Sequence, residues 1–296
     1  MELRALRYFL TIANVENFSR AADILHVTQP TMSRQMAQLE EELGVKLFQR
    51  TTRNVVLTED GMLLRRRAEE ILSLTDKATQ EMMQQGQELE GTISISSGEY
   101  EAFNILTDYI KSFSEQYPKV HFNIVSESAD RARDHLERGL VDVAVMLEPV
   151  DTGKFEAVPL PSIEQYTVLM RPDDPLARLK EIRQKDLAGK PLIMPFRRVG
   201  PNKRWMGKYY DEENFRFTTN LPNNAAALVA KGLGYYITIR SASAFFENFG
   251  LVYRPIRGAK DWKVFLAWKR YQPNSRAVSK FIEHVLQGLG SQSTEE

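Results

Sequence analysis

The sequence predicts an α/β protein in which a helical N-terminal module precedes a larger domain of alternating strands and helices. Three observations support this prediction. Short helical patterns and a hairpin-like segment make up the first 58 residues, a long proline-free helical stretch follows, and strand and helix patterns alternate from Gly91 onward. Such alternation is typical of sheets covered by helices. The 296 residues, 43% of them hydrophobic, exceed one ordinary domain and suffice for two or three cores.

The composition excludes several classes of function. The chain has no cysteine, so disulfides, thiolate metal sites and cysteine nucleophiles are excluded. The first residues lack the pattern of a signal peptide, and no apolar run approaches the length of a membrane span. We therefore expect a cytoplasmic protein with no membrane partner. The formal net charge is zero, so any binding of nucleic acid must depend on the placement of charges.

Three helices are predicted before residue 44. The apolar residues of LRYFLTIANVENF recur at helical spacing, and Ser19 is a plausible cap for a second helix through SRAADILHV. Thr28 is a suitable cap for the third helix, whose first turn tolerates Pro30 because no backbone donor is needed there. The short link HVT joins the second and third helices, so the two form a helix-turn-helix pattern.

The third helix has one apolar face and one face of small polar groups. The apolar residues follow one another at steps of four, three and four and therefore share a face; they are Met32, Met36, Leu39 and Leu43. A second helix that presents small polar groups at its N-terminal end fits the major groove of B-DNA. The candidate DNA-contacting residues of this helix are Gln29, Pro30, Thr31, Ser33, Arg34 and Gln38.

These side chains suit different contacts with DNA. Gln29 can reach base edges, Arg34 most simply binds phosphate, and the two hydroxyl side chains suit either partner. Downstream, Lys46, Arg50 and Arg53 surround a short hairpin-like segment. We predict that this segment is a wing over the DNA backbone.

The stretch from Leu3 to Gly61 closely resembles the winged helix-turn-helix of LysR-type transcriptional regulators. The resemblance rests on FSRAADILHVTQPTMSRQMAQLEEELGVKLFQR and the following VVLTEDG, in which residue order and spacing agree almost throughout. It implies a DNA-binding domain at residues 1–58. The alternative for this module is a three-helix unit used for protein contacts.

A long linker helix is predicted from residue 59 to about residue 88. Thr58 caps it, and its inner positions alternate in spacing between four and three, as in the seam of a coiled coil; they are Leu64, Ala68, Ile71, Thr75, Ala78 and Met82. Members of the resembled family dimerise through this helix, so the resemblance implies a dimer or tetramer. The alternative is a single helix packed on its own domain. The arginines at 65–67 are interpreted as a solvated face.

Residues 89–296 resemble the periplasmic-binding-protein-like effector domain of the same family, with two α/β subdomains. The first is expected at about 92–163 and 267–296, and the second at about 164–266. Each half is expected to contain a parallel sheet with helices on its faces. In such sheets ligands bind beyond the carboxyl ends of the strands, where helix N-termini expose unpaired donors.

The loops at those strand ends hold the candidate effector-binding residues. The resemblance implies that the cleft is lined at Gly98, Tyr100, Ser128, Pro195 and Phe196. Polar residues of the same loops complete the set with Ser97, Glu99, Glu148 and Asn223. For the two serines, helix capping is as good an explanation as ligand contact.

The sequence leaves two hypotheses for the charge of the effector. Many effectors of the resembled family are small organic anions, which would suit helix N-termini. Acids nevertheless lie in or beside the expected mouth, at Glu99, Glu101, Glu127 and Glu148. An inward acid repels an anion unless it is paired. Arg197 and Arg198 would supply that pairing for an anion, and otherwise a cationic or neutral effector is favoured.

Neither a catalytic nor a metal site is predicted. The histidines, His26, His121, His135 and His284, are scattered over different elements without metal-ligand spacing, and no GxSxG or P-loop pattern is present. A solute-binding protein for transport would explain the α/β halves but not the N-terminal module. We therefore expect a regulator without a cofactor other than its effector. Its expected partners are double-stranded DNA, further copies of itself and, if it activates transcription, RNA polymerase.

Overall fold

The computed structural model describes residues 1–50, 55–83, 88–195, 205–244, 246–271 and 273–292. The chain divides into two compact units, Met1–Gln85 and Gly86–Glu296. Within the described ranges, none of the helices combines the length and the hydrophobicity needed to cross a bilayer.

The N-terminal unit contains the predicted helix-turn-helix. Its helices are α1 (Leu3–Val15), α2 (Phe18–Ile24), α3 (Gln29–Leu43) and α4 (Glu59–Met83), and its strands are β1 (Phe48–Arg50) and β2 (Val55–Leu57). The two strands pair antiparallel, as a wing should. One core joins all of these elements, and its fully buried side chains include Leu6, Phe9, Ile12, Met32 and Leu39.

The junction between the wing and α4 explains the start of the long helix. The Thr58 hydroxyl accepts a hydrogen bond from the backbone N–H of Gly61 at 2.9 Å and donates one to the carbonyl of Lys46 at 2.6 Å. The predicted cap is thereby confirmed. A Cβ atom at position 61 would lie 2.2 Å from the carbonyl oxygen of Leu47, so only glycine permits this close approach of helix and wing.

Helix α4 has two apolar sides, which divide the predicted seam. Ala68 and Leu72 are buried in the core of their own unit, and Leu64 and Ile71 pack against it. The first half of the predicted seam therefore serves the chain's own domain. Met82, the last residue of that seam, is exposed, and outside the seam Met62, Leu63 and Leu74 are exposed as well.

The C-terminal unit is built on two five-stranded sheets. The strands, in chain order, are β3 (Gly91–Ser97), β4 (Val120–Ser126), β5 (Val143–Leu147), β6 (Phe155–Glu164), β7 (Tyr166–Met170), β8 (Leu192–Pro195), β9 (Phe215–Thr219), β10 (Tyr235–Ile239), β11 (Val252–Pro255) and β12 (Trp262–Lys269). The first sheet has the order β4-β3-β5-β12-β6, and the second has the order β11-β7-β10-β8-β9.

Both sheets are mixed, which corrects the prediction of parallel sheets. In the first sheet β3 runs parallel to β4 and β5, whereas β12 runs antiparallel to β5 and β6. In the second, β8 runs parallel to β9 and β10, whereas β7 runs antiparallel to β10 and β11. The chain passes between the sheets through β6, β7, β11 and β12. These strands are therefore reached from the other sheet and not through a helical crossover within their own sheet. Because such a crossover is what makes neighbouring strands parallel, these strands can pair antiparallel.

One expected subdomain boundary also moves. Strand β12 pairs with β6 from Trp262 to Lys269, so the first subdomain resumes near residue 262 and not at residue 267. The other crossing lies at Gln165, between β6 and β7, next to the predicted boundary.

Helices cover both sheets. The first sheet packs against α5 (Ala102–Gln116), α6 (Ala129–Glu137) and α9 (Arg276–Gln292), and the second against α7 (Pro222–Ala230) and α8 (Arg240–Ala244). Near residues 187 and 209 the described chain forms short 3₁₀ turns, Gln184–Leu187 and Gly207–Tyr209. Gly207 has φ +53, a left-handed conformation that interrupts an α-helix.

Candidate DNA-contacting surface and ligand cavity

Helix α3 presents the predicted polar face at its N-terminal end. The Thr28 hydroxyl accepts a hydrogen bond from the backbone N–H of Thr31 at 3.4 Å, and the two hydroxyls lie 2.8 Å apart. Met32, Met36 and Leu39 are buried on the opposite face, while Leu43, predicted to be in the core, is 39% exposed. The side chains predicted to contact DNA are exposed, with Ser33 partly buried; they are Gln29, Pro30, Thr31, Arg34 and Gln38.

Two of these side chains differ in how they are held. The Gln29 side-chain amide donates a hydrogen bond to the Ser33 hydroxyl at 2.9 Å, which orients the glutamine along the helix while its amide oxygen remains an available acceptor. Arg34 forms neither a hydrogen bond nor an ion pair with any residue in the described part of the chain. Its guanidinium is therefore available to an external acceptor such as phosphate.

The wing is fastened to α3 by a residue that sequence reasoning did not single out. The Glu40 side chain, 12% exposed, accepts hydrogen bonds from Lys46 Nζ at 2.7 Å and from the backbone N–H groups of Leu47 at 2.8 Å and Phe48 at 3.3 Å. Burial of this carboxyl opposes ionisation, but the three donors outweigh it and lower the pKa of Glu40. No short sequence motif predicts a contact such as this one, between the side chain of a helix residue and the backbone of the strand that follows.

The predicted wing residues lie largely outside the described part of the structure. Arg50 ends strand β1, but its side chain lies outside the described residues, and Arg53 lies outside them entirely. The rings of Phe9 and Phe18 lie 5.3 and 5.6 Å from that of Phe48. The base of the wing is thus fixed to the helical core.

A cavity of about 250 Å³ lies between the two sheets of the C-terminal unit. It brings together most of the side chains that the sequence assigned to effector binding. They are Gly98, Glu99, Tyr100, Ser128, Glu148 and Pro195. The loops that follow β3, β4 and β5 supply five of the six, as expected for a ligand site at the carboxyl ends of strands.

Three predicted residues lie elsewhere. Ser97 does not line the cavity, because its buried hydroxyl donates a hydrogen bond to the carbonyl of Gly98 at 2.7 Å. Asn223 lines a neighbouring space of about 580 Å³, which it shares with Glu99 and Arg240. Phe196, like Arg197 and Arg198, lies outside the described residues.

The first loop of the cavity places Gly98 against the ring of Tyr100. A Cβ atom at position 98 would lie 2.6 Å from that ring, so a larger residue here would require the Tyr100 side chain to move. Ser128, which precedes α6, makes no side-chain capping hydrogen bond. Its hydroxyl therefore remains available at the cavity wall.

Aromatic side chains that sequence reasoning missed complete the cavity. Tyr166, Tyr236 and Trp262 all line it, and the rings of Tyr166 and Trp262 meet edge to face with centroids 6.0 Å apart. Both of these residues begin strands at which the chain has just passed between the sheets. Their positions depend on that crossing, which no local pattern encodes.

The carboxylates of the cavity fall into two groups. Three have basic or donor partners among the described residues. Glu127 accepts a hydrogen bond from the Ser96 hydroxyl at 3.0 Å and lies 3.0 Å from His135 Nδ1. Asp130 lies 3.6 Å from an Arg133 nitrogen.

Glu148 is the third partnered carboxylate. It accepts a hydrogen bond from the backbone N–H of Lys263 at 3.1 Å and lies 3.3 Å from Lys260 Nζ. The backbone donor, followed by the lysine side chain, keeps the pKa of Glu148 below its usual value despite some desolvation.

Glu99 forms the second group by itself. It makes no hydrogen bond or ion pair with any residue that the structure describes. Desolvation by the surrounding cavity walls, with no partner to offset it, raises the pKa of this carboxyl.

A DNA-docking helix with a wing, joined in one chain to a two-sheet domain with a polar cavity, defines the class of ligand-responsive DNA-binding regulators. Two family models match the chain. Residues 3–62 match the bacterial regulatory helix-turn-helix protein of the lysR family, and residues 86–290 match the LysR substrate binding domain. The chain belongs to the LysR family, a family of DNA-binding regulators and not of enzymes.

Individual relatives agree with this assignment. The chain is 30% identical to the Hca operon transcriptional activator HcaR of Escherichia coli (strain K12), over 98% of this chain and 99% of that protein. It is 31% identical over 194 residues to a hydrogen peroxide-inducible genes activator of Pectobacterium carotovorum subsp. carotovorum, a match that spans 64% of that protein's length. Full-length CbnR complexed with its target DNA has the same fold, with a TM-score of 0.68 and 23% identity over 97% of this chain and 99% of that chain.

Proposed function

We propose that this chain regulates transcription by binding operator DNA through α3 and the wing, under the control of a small molecule in the cavity. The observation that carries the proposal is the N-terminal face of α3, where Arg34 and Gln29 are exposed and no acidic residue stands in the first turn. Such a face combines a phosphate contact with a side chain suited to base edges. As a regulator of bacterial DNA, the protein would work in the cytoplasm.

A footprint of the purified protein on the DNA upstream of its own gene, at two salt concentrations, tests this function. We expect a protected, roughly twofold-symmetric site whose occupancy falls steeply with salt, since each phosphate contact releases counterions. Genome-wide selection of bound fragments is the second arm. If neither method yields a specific site at low salt, the proposed function is wrong.

The proposed regulator acts as a homodimer or tetramer. Its exposed apolar row on α4, Leu63 and Leu74, supports self-association, because these side chains are 54% and 41% exposed and would be covered by a second copy of the helix. A dimer places two copies of α3 on two half-sites. If the protein activates transcription, RNA polymerase is the further partner.

The effector is proposed to bind without covalent chemistry. One relative is named for induction by hydrogen peroxide, but a sensor that works by thiol oxidation needs cysteine, and this chain has none. The cavity between the sheets instead suits a small molecule held by polar and aromatic side chains.

Effector binding is proposed to act by favouring one arrangement of the two sheets, which changes the spacing of the DNA-binding heads and the bend of the DNA. Footprints and bend angles measured with and without a bound ligand check this mechanism. Identical footprints and identical bends would contradict it.

A further inference from the structure

The walls of the cavity are unusually acidic for a site in a family whose effectors are often anions. Among the described lining residues there are four carboxylates, Glu99, Glu127, Asp130 and Glu148, and one guanidinium, Arg133. A carboxylate ligand placed here would face like charges at short range in a site partly withdrawn from water, where repulsion is strong.

The helix N-termini at the cavity offer little to an anion, because the protein's own acids already stand there. Asp130 lies in the first turn of α6, and Glu101 is the residue that precedes α5. Acids in these positions complement the partial positive charge of a helix N-terminus. Helix α7 starts at Pro222, which removes one of the free backbone N–H groups at that end of the helix.

Glu99 is the carboxylate that an incoming group would meet. The other three carboxylates of the cavity have the partners described above, whereas Glu99 has none among the described residues. It also borders the neighbouring space of about 580 Å³. Glu99 is exposed at the cavity, and a carboxylate without a partner there is suited to a cation that carries hydrogen-bond donors.

The protein itself shows how an ammonium group is held at this cavity. Lys260 Nζ lies 3.3 Å from a Glu148 oxygen and 4.9 Å from the centre of the Trp262 ring. The ammonium therefore combines an ion pair with a cation–π contact. Glu99 and its neighbour Tyr100 offer the same two kinds of group, a carboxylate and an aromatic ring, and both line the cavity.

We propose that the effector is a compact organic cation, with an ammonium group bound at Glu99 and an apolar or aromatic body against the tyrosine and tryptophan rings. This inference rests on the proposed function, in which a small molecule in the cavity regulates the protein. The cavity volume of about 250 Å³ lies below the roughly 300–1,000 Å³ of sites for drug-sized ligands. The ligand is therefore small.

Matched probes that differ in charge test the proposal. Titration calorimetry and thermal shift on the full chain would compare benzylammonium, phenethylammonium and short alkylammonium ions with benzoate, phenylacetate and short fatty acids. We expect ammonium probes to bind at least tenfold more tightly than carboxylates of similar shape. Glu99→Gln should weaken ammonium binding at least tenfold, because it removes the charge and keeps the shape.

Glu115→Gln is the matched control. Glu115 is an exposed acid near the end of α5 and does not line the cavity, so this variant should bind ammonium probes as the wild type does. The proposal is overturned if carboxylates bind as tightly as ammonium ions, if no ammonium probe binds, or if Glu99→Gln binds them unchanged. A DNA footprint on the same wild-type preparation distinguishes failure of the ligand class from failure of the proposed function. If the protein binds specific DNA but no ammonium probe, only the ligand class is refuted. If it binds no specific DNA, the proposed function is refuted.

Discussion

Single side chains on α3 have separable roles in the proposed DNA complex. Arg34→Ala should weaken binding to specific and random DNA alike and flatten the salt dependence, because a phosphate contact carries no sequence information. Gln29→Ala should instead cost about 1–3 kcal/mol on the specific site and relax the preference at one base pair. Competition binding at several salt concentrations measures both effects. Equal losses on specific and random DNA for Gln29→Ala would remove this residue from base readout.

The unpaired Glu99 carboxyl predicts a dependence of stability on pH. Burial raises its pKa above the ordinary value of 4.5, so folding favours the protonated form. Its contribution to stability is thus fully present below the unfolded-state pKa and is lost as pH rises through the raised folded-state pKa. Glu99→Gln should therefore raise the melting temperature slightly at pH 7 and bring no gain at pH 4. Glu115→Gln should show no such pattern, and a gain for Glu99→Gln that persists at pH 4 would contradict this explanation.

At the residue scale, features set by a local sequence pattern were predicted, whereas contacts between residues distant in the chain were not. The burial of Met32 and Met36 and the cap at Thr28 follow from spacing within one helix, so the sequence was sufficient. The pairing of Glu148 with Lys260, by contrast, joins residues far apart in the chain. A count of acids near the mouth of the cleft therefore did not distinguish the unpaired Glu99 from its partnered neighbours.

Among the elements, the wing depends on its attachment to α3. Replacing Glu40 with alanine leaves the N–H groups of Leu47 and Phe48 without their acceptor, at a cost of about 2 kcal/mol for buried donors. We expect Glu40→Ala to lower the free energy of unfolding by about that amount and to weaken DNA binding. Glu41→Ala, which changes an exposed neighbour, should do neither. Chemical unfolding followed by circular dichroism measures the difference, and equal stability of the two variants would contradict the role of Glu40.

The same contact has a pH dependence of opposite sign to that of Glu99. The pKa of Glu40 is lowered from 4.5, so its stabilising contribution is present above that value and is lost as pH falls through the folded-state pKa. The difference between Glu40→Ala and the wild type should therefore shrink in acid. A difference that stays constant from pH 7 to pH 3 would show that the carboxylate charge is not involved.

Elements with a local sequence pattern were predicted well. The pairing of strands at which the chain crosses from one sheet to the other was not. Helix α3 and the cap of α4 follow from capping and periodicity. Strand β12 pairs antiparallel with β5 and β6, and this pairing depends on how the chain re-enters the first sheet. The residues next to Trp262 in the sequence therefore do not indicate that its side chain lines the cavity.

At the scale of the whole molecule, one apolar side of α4 packs in the chain's own core, and another is exposed and available for assembly with a second copy. The side with Ala68 and Leu72 is buried in the chain's own core, so the heptad-like spacing read from the sequence reports intramolecular packing in its first half. Leu63 and Leu74 lie on another side of the helix and remain exposed. Burying such side chains against a partner contributes favourable free energy, and the described residues of their own unit do not bury them.

Leu74→Glu should therefore shift the protein from dimer to monomer while leaving each domain folded. A glutamate in the covered row would place a charge in an apolar contact, whereas Ser73→Glu adds the same charge at an exposed position next to the row and should leave the dimer intact. Sedimentation measures the mass, and circular dichroism checks the fold. The monomer should also lose most of its affinity for a two-half-site operator, since each head then binds independently. If Leu74→Glu remained dimeric, the exposed row of α4 would not be the surface through which the regulator assembles.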